Sequence, residues 1–213
     1  MDSKEIVILI HALAANKWFM CPLAKHLKNQ GYIVYNWDYE SRKFTIEELA
    51  NQLNAFIQNL DIKDKKINFV THSLGGIITR YYLKYFNLEN LGRVVMLAPP
   101  NNGSEVVEVF KEQYWFYKYF GPASITLGTG EMSVPKSLGP VNFPLGIIAG
   151  SMSFLGFGML LPTGNDGIVS IESTKVEGMT EHLVLYTSHV GIVFRKDVIQ
   201  YCTNFLKYES FKT

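Results

Sequence analysis

The feature that most constrains this chain is a hydrophobic period that keeps switching. Ile6-Val7-Ile8-Leu9-Ile10 is an unbroken run of β-branched residues and leucine, the pattern of a parallel strand covered on both faces. Phe19, Leu23 and Leu27 then recur at helical spacing, Gly31 supplies a stop, and Tyr32-Ile33-Val34-Tyr35-Asn36-Trp37 reads as a second strand. The switching continues. Thr45 with Glu48 forms a capping box ahead of Ile46, Leu49, Leu53, Phe56, Ile57 and Leu60 on one helix face. Strands follow at residues 67–70, 93–98, 147–149 and 182–186, with an apolar helix after Gly75-Gly76 and a closing helix through Val198, Cys202 and Phe205. About six strands alternating with helices predict an α/β fold with a doubly wound, mostly parallel sheet.

At 213 residues the chain is one domain's length, expected over residues 1–213. Between Pro99 and Phe143 the periodicity fades into Gly, Pro and aromatic residues, which predicts a lid-like insertion over the sheet at about 99–143. A net charge of +1, without a basic cluster interleaved with aromatics, lacks the electrostatic footprint of a nucleic-acid binder. Cys21 and Cys202 stand near opposite ends and read as two buried thiols; no His, Cys, Asp or Glu set has ligand spacing, so neither metal nor cofactor is expected. The N-terminal apolar run is too short for a signal h-region, which predicts a cytoplasmic protein. An uncharged tract from Ser137 to Asn165 is long enough to span a bilayer, but Pro140, Pro144, Pro162 and repeated glycines divide it, so no transmembrane segment is expected.

In a doubly wound sheet the chemistry sits at the carboxyl ends of the strands. Ser73 follows the third strand in Thr71-His72-Ser73-Leu74-Gly75-Gly76 and opens a buried helix, the strand-turn-helix setting of a nucleophile elbow. The helix N-terminus and the Leu74 amide would favour negative charge beside its hydroxyl. A plain N-cap is the competing reading for this serine. His72 is expected to pack beside the elbow rather than aim at the hydroxyl.

With that string the chain resembles the α/β-hydrolase superfamily, in its bacterial lipase and esterase-like branch. The similarity extends over nearly the whole chain, through Val7-Ile8-Leu9-Ile10-His11-Ala12-Leu13, Ala98-Pro99-Pro100-Asn101-Asn102-Gly103-Ser104, Ile148-Ala149-Gly150, Asn165-Asp166-Gly167-Ile168-Val169 and Ser188-His189. It implies the α/β-hydrolase fold and a Ser, Asp, His order along the chain. His189, past the sixth strand and before the last helix, is then the expected base among five histidines, and Asp166 the expected acid, with Glu172 in reserve. The resemblance also implies an oxyanion hole of the backbone amides of Leu13 and Leu74. Two residues depart from the family pattern: Thr71 replaces the first elbow glycine and Ala12 the glycine after His11, each adding a Cβ where backbones approach closely.

The expected activity is hydrolysis of a small-molecule or lipid carboxylic ester through an acyl-enzyme on Ser73. An acyltransferase of the same fold and a catalytically silent binding protein remain open alternatives. Tyr114, Trp115, Phe116, Tyr117, Tyr119 and Phe120 read either as an acyl-chain surface in the lid or as a core cluster.

Overall fold

The architecture is that of a computed structural model, which describes residues 5–62, 65–153, 157–162 and 164–212. The N-terminal Met1-Asp2-Ser3-Lys4 and the Phe154-Leu155-Gly156 part of the uncharged tract lie outside the described residues. Six strands form one sheet: β1 (Ile6–Ile10), β2 (Ile33–Trp37), β3 (Ile67–His72), β4 (Leu91–Leu97), β5 (Leu145–Gly150) and β6 (Glu181–Leu185). Their order is β2-β1-β3-β4-β5-β6, and every neighbouring pair is parallel. This is the doubly wound sheet that the alternating periods predict.

The two faces of β1 show how the winding is built. Ile6, Ile8 and Ile10 pack on one side with Leu49, Leu53 and Ile57 of α2 (Ile46–Gln58) and Ile77 and Ile78 of α3 (Leu74–Tyr85). Val7 and Leu9 pack on the other with Leu23 and Leu27 of α1 (Cys21–Asn29) and Val198, Cys202 and Phe205 of α9 (Lys196–Tyr208). A strand covered on both faces has no polar side to show, which is why its sequence runs without alternation. Burying one such aliphatic side chain contributes about 1.5–3 kcal/mol.

Between β4 and β5 the chain makes four short helices: α4 (Glu105–Phe110), α5 (Tyr114–Phe120), α6 (Pro122–Ile125) and α7 (Val134–Ser137). The segment joins the core through Val107, Phe116, Ala123, Leu127 and Leu138, all buried on the α2 and α3 side. A single turn, α8 (Ile171–Thr174), precedes β6. No helix among the described residues is long and apolar enough to cross a membrane.

Because β1 has β2 on one side and β3 on the other, the winding direction reverses there, which puts the topological switch point at the carboxyl ends of β1 and β3. Ile10 is the register partner of Thr71, so the segments beginning at His11 and His72 leave the sheet side by side.

Candidate active site

Ser73 sits between the end of β3 and the start of α3 with φ 53° and ψ −119°, a conformation that L-residues rarely hold. The sheet enforces it: the Ser73 amide donates to Leu97 O at 2.9 Å, and helix geometry begins one residue later. Gly75 makes the turn possible, since a Cβ there would lie 2.6 Å from Ile10 O and 2.9 Å from His11 O. The Ser73 side chain makes no capping hydrogen bond, in contrast to Ser104 and Ser170, which cap α4 and α8. The N-cap reading therefore fails, and a strained backbone holds a hydroxyl that local structure does not use.

His189 and Asp166 are brought together as the Ser, Asp, His order implies. The His189 Nδ1–H donates to Asp166 Oδ2 at 2.7 Å, while Asp166 Oδ1 accepts from the amides of Ile168 at 3.0 Å and Val169 at 2.9 Å. The two backbones are also joined, His189 N to Asp166 O at 2.9 Å. Asp166 is only 2% exposed. Burial pushes its carboxyl pKa up, but the attraction and hydrogen bond of His189, with the two loop amides, outweigh it, and the pKa lies below the ordinary value. An anionic Asp166 on Nδ1 leaves the Nε2 lone pair of His189 free to accept a proton. Glu172 stays apart, with a mostly exposed side chain paired to Lys175 at 2.7 Å.

Gly150, at the end of β5, allows this packing: a Cβ would stand 2.5 Å from Thr187 O and 2.7 Å from the Asp166 Cβ. The insertion helps from the other side. Ser104 Oγ donates to Ile168 O at 2.9 Å, and Glu105 accepts from Ser170 Oγ at 2.6 Å, so the start of α4 is fastened to the acid's loop.

The residue before the elbow serine has a larger role than its sequence position implies. His72 Nε2–H donates to His189 O at 2.9 Å, and the two rings lie 5.0 Å apart. A carbonyl only accepts, so His72 carries its proton on Nε2, and its other nitrogen, Nδ1, is buried without a hydrogen-bond partner. Burial, then the proximity of His189, lowers its pKa to about 3, keeping the ring neutral. His72 thus clamps the His189 loop to the turn at Ser73. Histidine before the elbow serine was the available signal, but sequence adjacency does not reveal a partner 117 residues away.

The loop after β1 is equally ordered. His11 Nδ1–H donates to Ala12 O at 2.8 Å, Tyr39 Oη–H donates to His11 O at 2.6 Å, and the two rings stack at 4.1 Å. A trans peptide carries its C=O and N–H on opposite sides, so holding Ala12 O turns the Leu13 amide away from His11. Ala14, at φ 55°, donates its amide to Ser41 Oγ at 3.0 Å. The Leu74 amide, first in α3, has no intrahelical acceptor. Tyr39 and Ser41, both missed in the sequence, belong to a loop after β2 that carries no motif. Neither departure from the family glycines strains the backbone: positive φ falls at Ala14, not Ala12, and Thr71 is a paired residue of β3. Thr71 Oγ1 is nevertheless buried without a hydrogen-bond partner.

The six-stranded parallel sheet, with the strained serine and the coupled His–Asp pair at the carboxyl ends of its strands, decides the fold. The chain has the α/β-hydrolase fold. Residues 1–101 match the family described as "Putative serine esterase (DUF676)". No curated protein matches the sequence. Among solved structures, the mature Bacillus licheniformis lipase BlEst2 is similar at 20% identity and a TM-score of 0.71, over 99% of this chain and 94% of that one. The Legionella pneumophila phospholipase PlaB gives 18% identity and a TM-score of 0.80; the match covers 98% of this chain but 60% of PlaB. The product of the Listeria innocua gene lin2722 gives 16% identity and a TM-score of 0.68, over 97% and 95% of the two chains.

Proposed function

We propose that this protein is an α/β hydrolase, a serine esterase that cleaves small-molecule or lipid carboxylic esters. The observation that carries the reading is Ser73 itself: positive φ, no capping bond, and a neighbouring residue that holds the His189 loop. In the proposed reaction, Ser73 Oγ attacks the ester carbonyl carbon while His189 Nε2 takes the hydroxyl proton. The oxyanion forms against the amides of Leu13 and Leu74. His189 returns the proton to the leaving alkoxide, and an acyl-enzyme remains on Ser73. Water then attacks the acyl carbon, giving a proton to His189, which passes it to the departing Ser73 Oγ as the carboxylic acid is released. Asp166 holds the His189 tautomer and balances the charge of its protonated ring. The helical segment at 99–143 is proposed as one wall of this site, an insertion within a single domain.

The test is labelling by a fluorophosphonate together with hydrolysis of p-nitrophenyl esters of graded chain length. Wild type should label and turn over; Ser73→Ala should fold, fail to label and lose turnover by several orders of magnitude. Ordinary turnover by folded Ser73→Ala would reject the mechanism. Product analysis with an added alcohol distinguishes hydrolysis from acyl transfer, and unlabelled wild type would favour a silent binding protein.

A further inference from the structure

Helix α5 reads Tyr114-Trp115-Phe116-Tyr117-Lys118-Tyr119-Phe120, six aromatics in seven residues, yet only Phe116 is buried. Tyr114 is 76% exposed, Tyr119 59%, Trp115 48% and Tyr117 47%. Such a concentration of rings in water marks an interaction surface. The helix is fixed from beneath rather than loose: Phe116 contacts Phe120 at 4.8 Å and Phe110 at 6.3 Å between centroids, and the Gly121 backbone lies so close to Arg42 that a Cβ would stand 1.8 Å from Arg42 O. Trp115, Lys118, Tyr119 and Phe120 line a hollow of about 560 Å³, with Lys118 its one charged wall.

We propose that α5 docks this protein on a phospholipid bilayer, lying in the headgroup layer. Deepening the esterase reading, this would present the protein to ester lipids in that layer, but the docking itself does not depend on Ser73. The chemistry of the face selects the occupant. Trp and Tyr join an apolar ring to a polar N–H or O–H, which suits the boundary between headgroups and acyl chains, and the cations beside them suit the phosphates of that layer. Seven helical residues extend about 10 Å, enough to lie in the interface and far too short to cross it. Among the described residues neither Lys118 nor Arg42 has a carboxylate partner, and the Arg42 guanidinium sits 5.6 Å from the Tyr119 ring, so two cations at the aromatic face are available to lipid phosphates. Lys111 is taken by Glu108 at 2.8 Å, and Glu112 is exposed one turn away. A second copy on this face would set Lys118 and Arg42 against like charges.

The experiment is flotation of the full chain with phosphatidylcholine vesicles, with and without phosphatidylglycerol, at low and high salt. Wild type should float with both, more strongly with phosphatidylglycerol, and lose that excess in high salt. Tyr114→Ser with Trp115→Ser should reduce the bound fraction at least about tenfold at unchanged melting temperature. Lys118→Glu should remove the phosphatidylglycerol excess, by about fivefold for one cation at an anionic surface. Tyr114→Ser alone, at a position far from the core, keeps the test valid if the double variant unfolds, and should still weaken flotation. Wild type remaining with the aqueous phase, or folded variants floating as well as wild type, would overturn the proposal. So would a wild-type dimer that Tyr114→Ser dissociates without any vesicle binding. Failure of fluorophosphonate labelling would sink the esterase reading and leave flotation unchanged.

Discussion

Replacing Asp166 by asparagine tests the His–Asp geometry with almost no change in shape. Asparagine can keep its Oδ1 on the amides of Ile168 and Val169, at 3.0 and 2.9 Å in the wild type, so the loop should survive. The amide NH2 then replaces the oxygen that accepts from His189 Nδ1–H at 2.7 Å. Two donors cannot face each other, so Nδ1 must become the acceptor and the ring proton must move to Nε2. A base with its proton already on Nε2 cannot take the one on Ser73. The loss expected for a wrong tautomer is about 10⁴-fold in kcat, or about 5 kcal/mol of transition-state stabilisation. The assay is steady-state hydrolysis of a p-nitrophenyl ester beside a thermal melt, with Glu172→Gln as control, since that side chain is 79% exposed and engaged by Lys175. Asp166→Asn with kcat within tenfold of wild type, or Glu172→Gln with the large loss, would refute the reasoning.

Ser73→Gly should abolish turnover yet raise the melting temperature by about 2–4 °C, because relief of positive-φ strain at φ 53° outweighs the extra chain entropy of glycine by about 1 kcal/mol; a lower melting temperature would argue against strain at the elbow. Gly75→Ala should cost about 1–3 kcal/mol in urea unfolding and lower kcat, since both atoms it would strike are backbone oxygens at the end of β1; wild-type stability would contradict the close approach. The buried His72, with its pKa lowered to about 3, binds no proton in the fold between that pH and about 6.5, while the unfolded chain does. Stability is therefore lost on acidification through this window, at up to about 1.4 kcal/mol per pH unit from this group. His72→Gln, which can keep a donor for His189 O, should flatten the dependence of the melting temperature on pH between 6.5 and 4; an unchanged slope would show that His72 is not the group responsible.

The parallel sheet was legible because burial on both faces of a strand leaves a mark in composition, as in the five apolar residues of β1, and because the Thr45 capping box acts within one turn of chain. The elbow was legible for the same reason: strand, Ser73, Gly75-Gly76 and helix are consecutive, and the constraint on Gly75 comes from the immediately adjacent strand. Asp166 and His189 were reachable only through the family's order of residues, because 23 positions separate them and an Asp-Gly pair is also an ordinary turn. The aromatic run was ambiguous in sequence. One-dimensional periodicity cannot say that Phe116, with Phe120 half-buried behind it, points inward from a two-turn helix whose neighbours decide its tilt.

What the sequence determined by itself was local: where strands and helices form, and that a serine follows a strand at a turn requiring glycine. Tertiary structure decided everything that depends on two segments meeting. It placed the start of the β1 loop beside the elbow by pairing Ile10 with Thr71, set His72 under the carbonyl of His189, and used Ser41 to receive the amide of Ala14. The physical reason is that hydrogen bonds act over about 3 Å in space while the partners lie 27 to 117 residues apart in the chain, so no local pattern encodes them. Only packing the helices on both faces of the sheet brings those ends to one place.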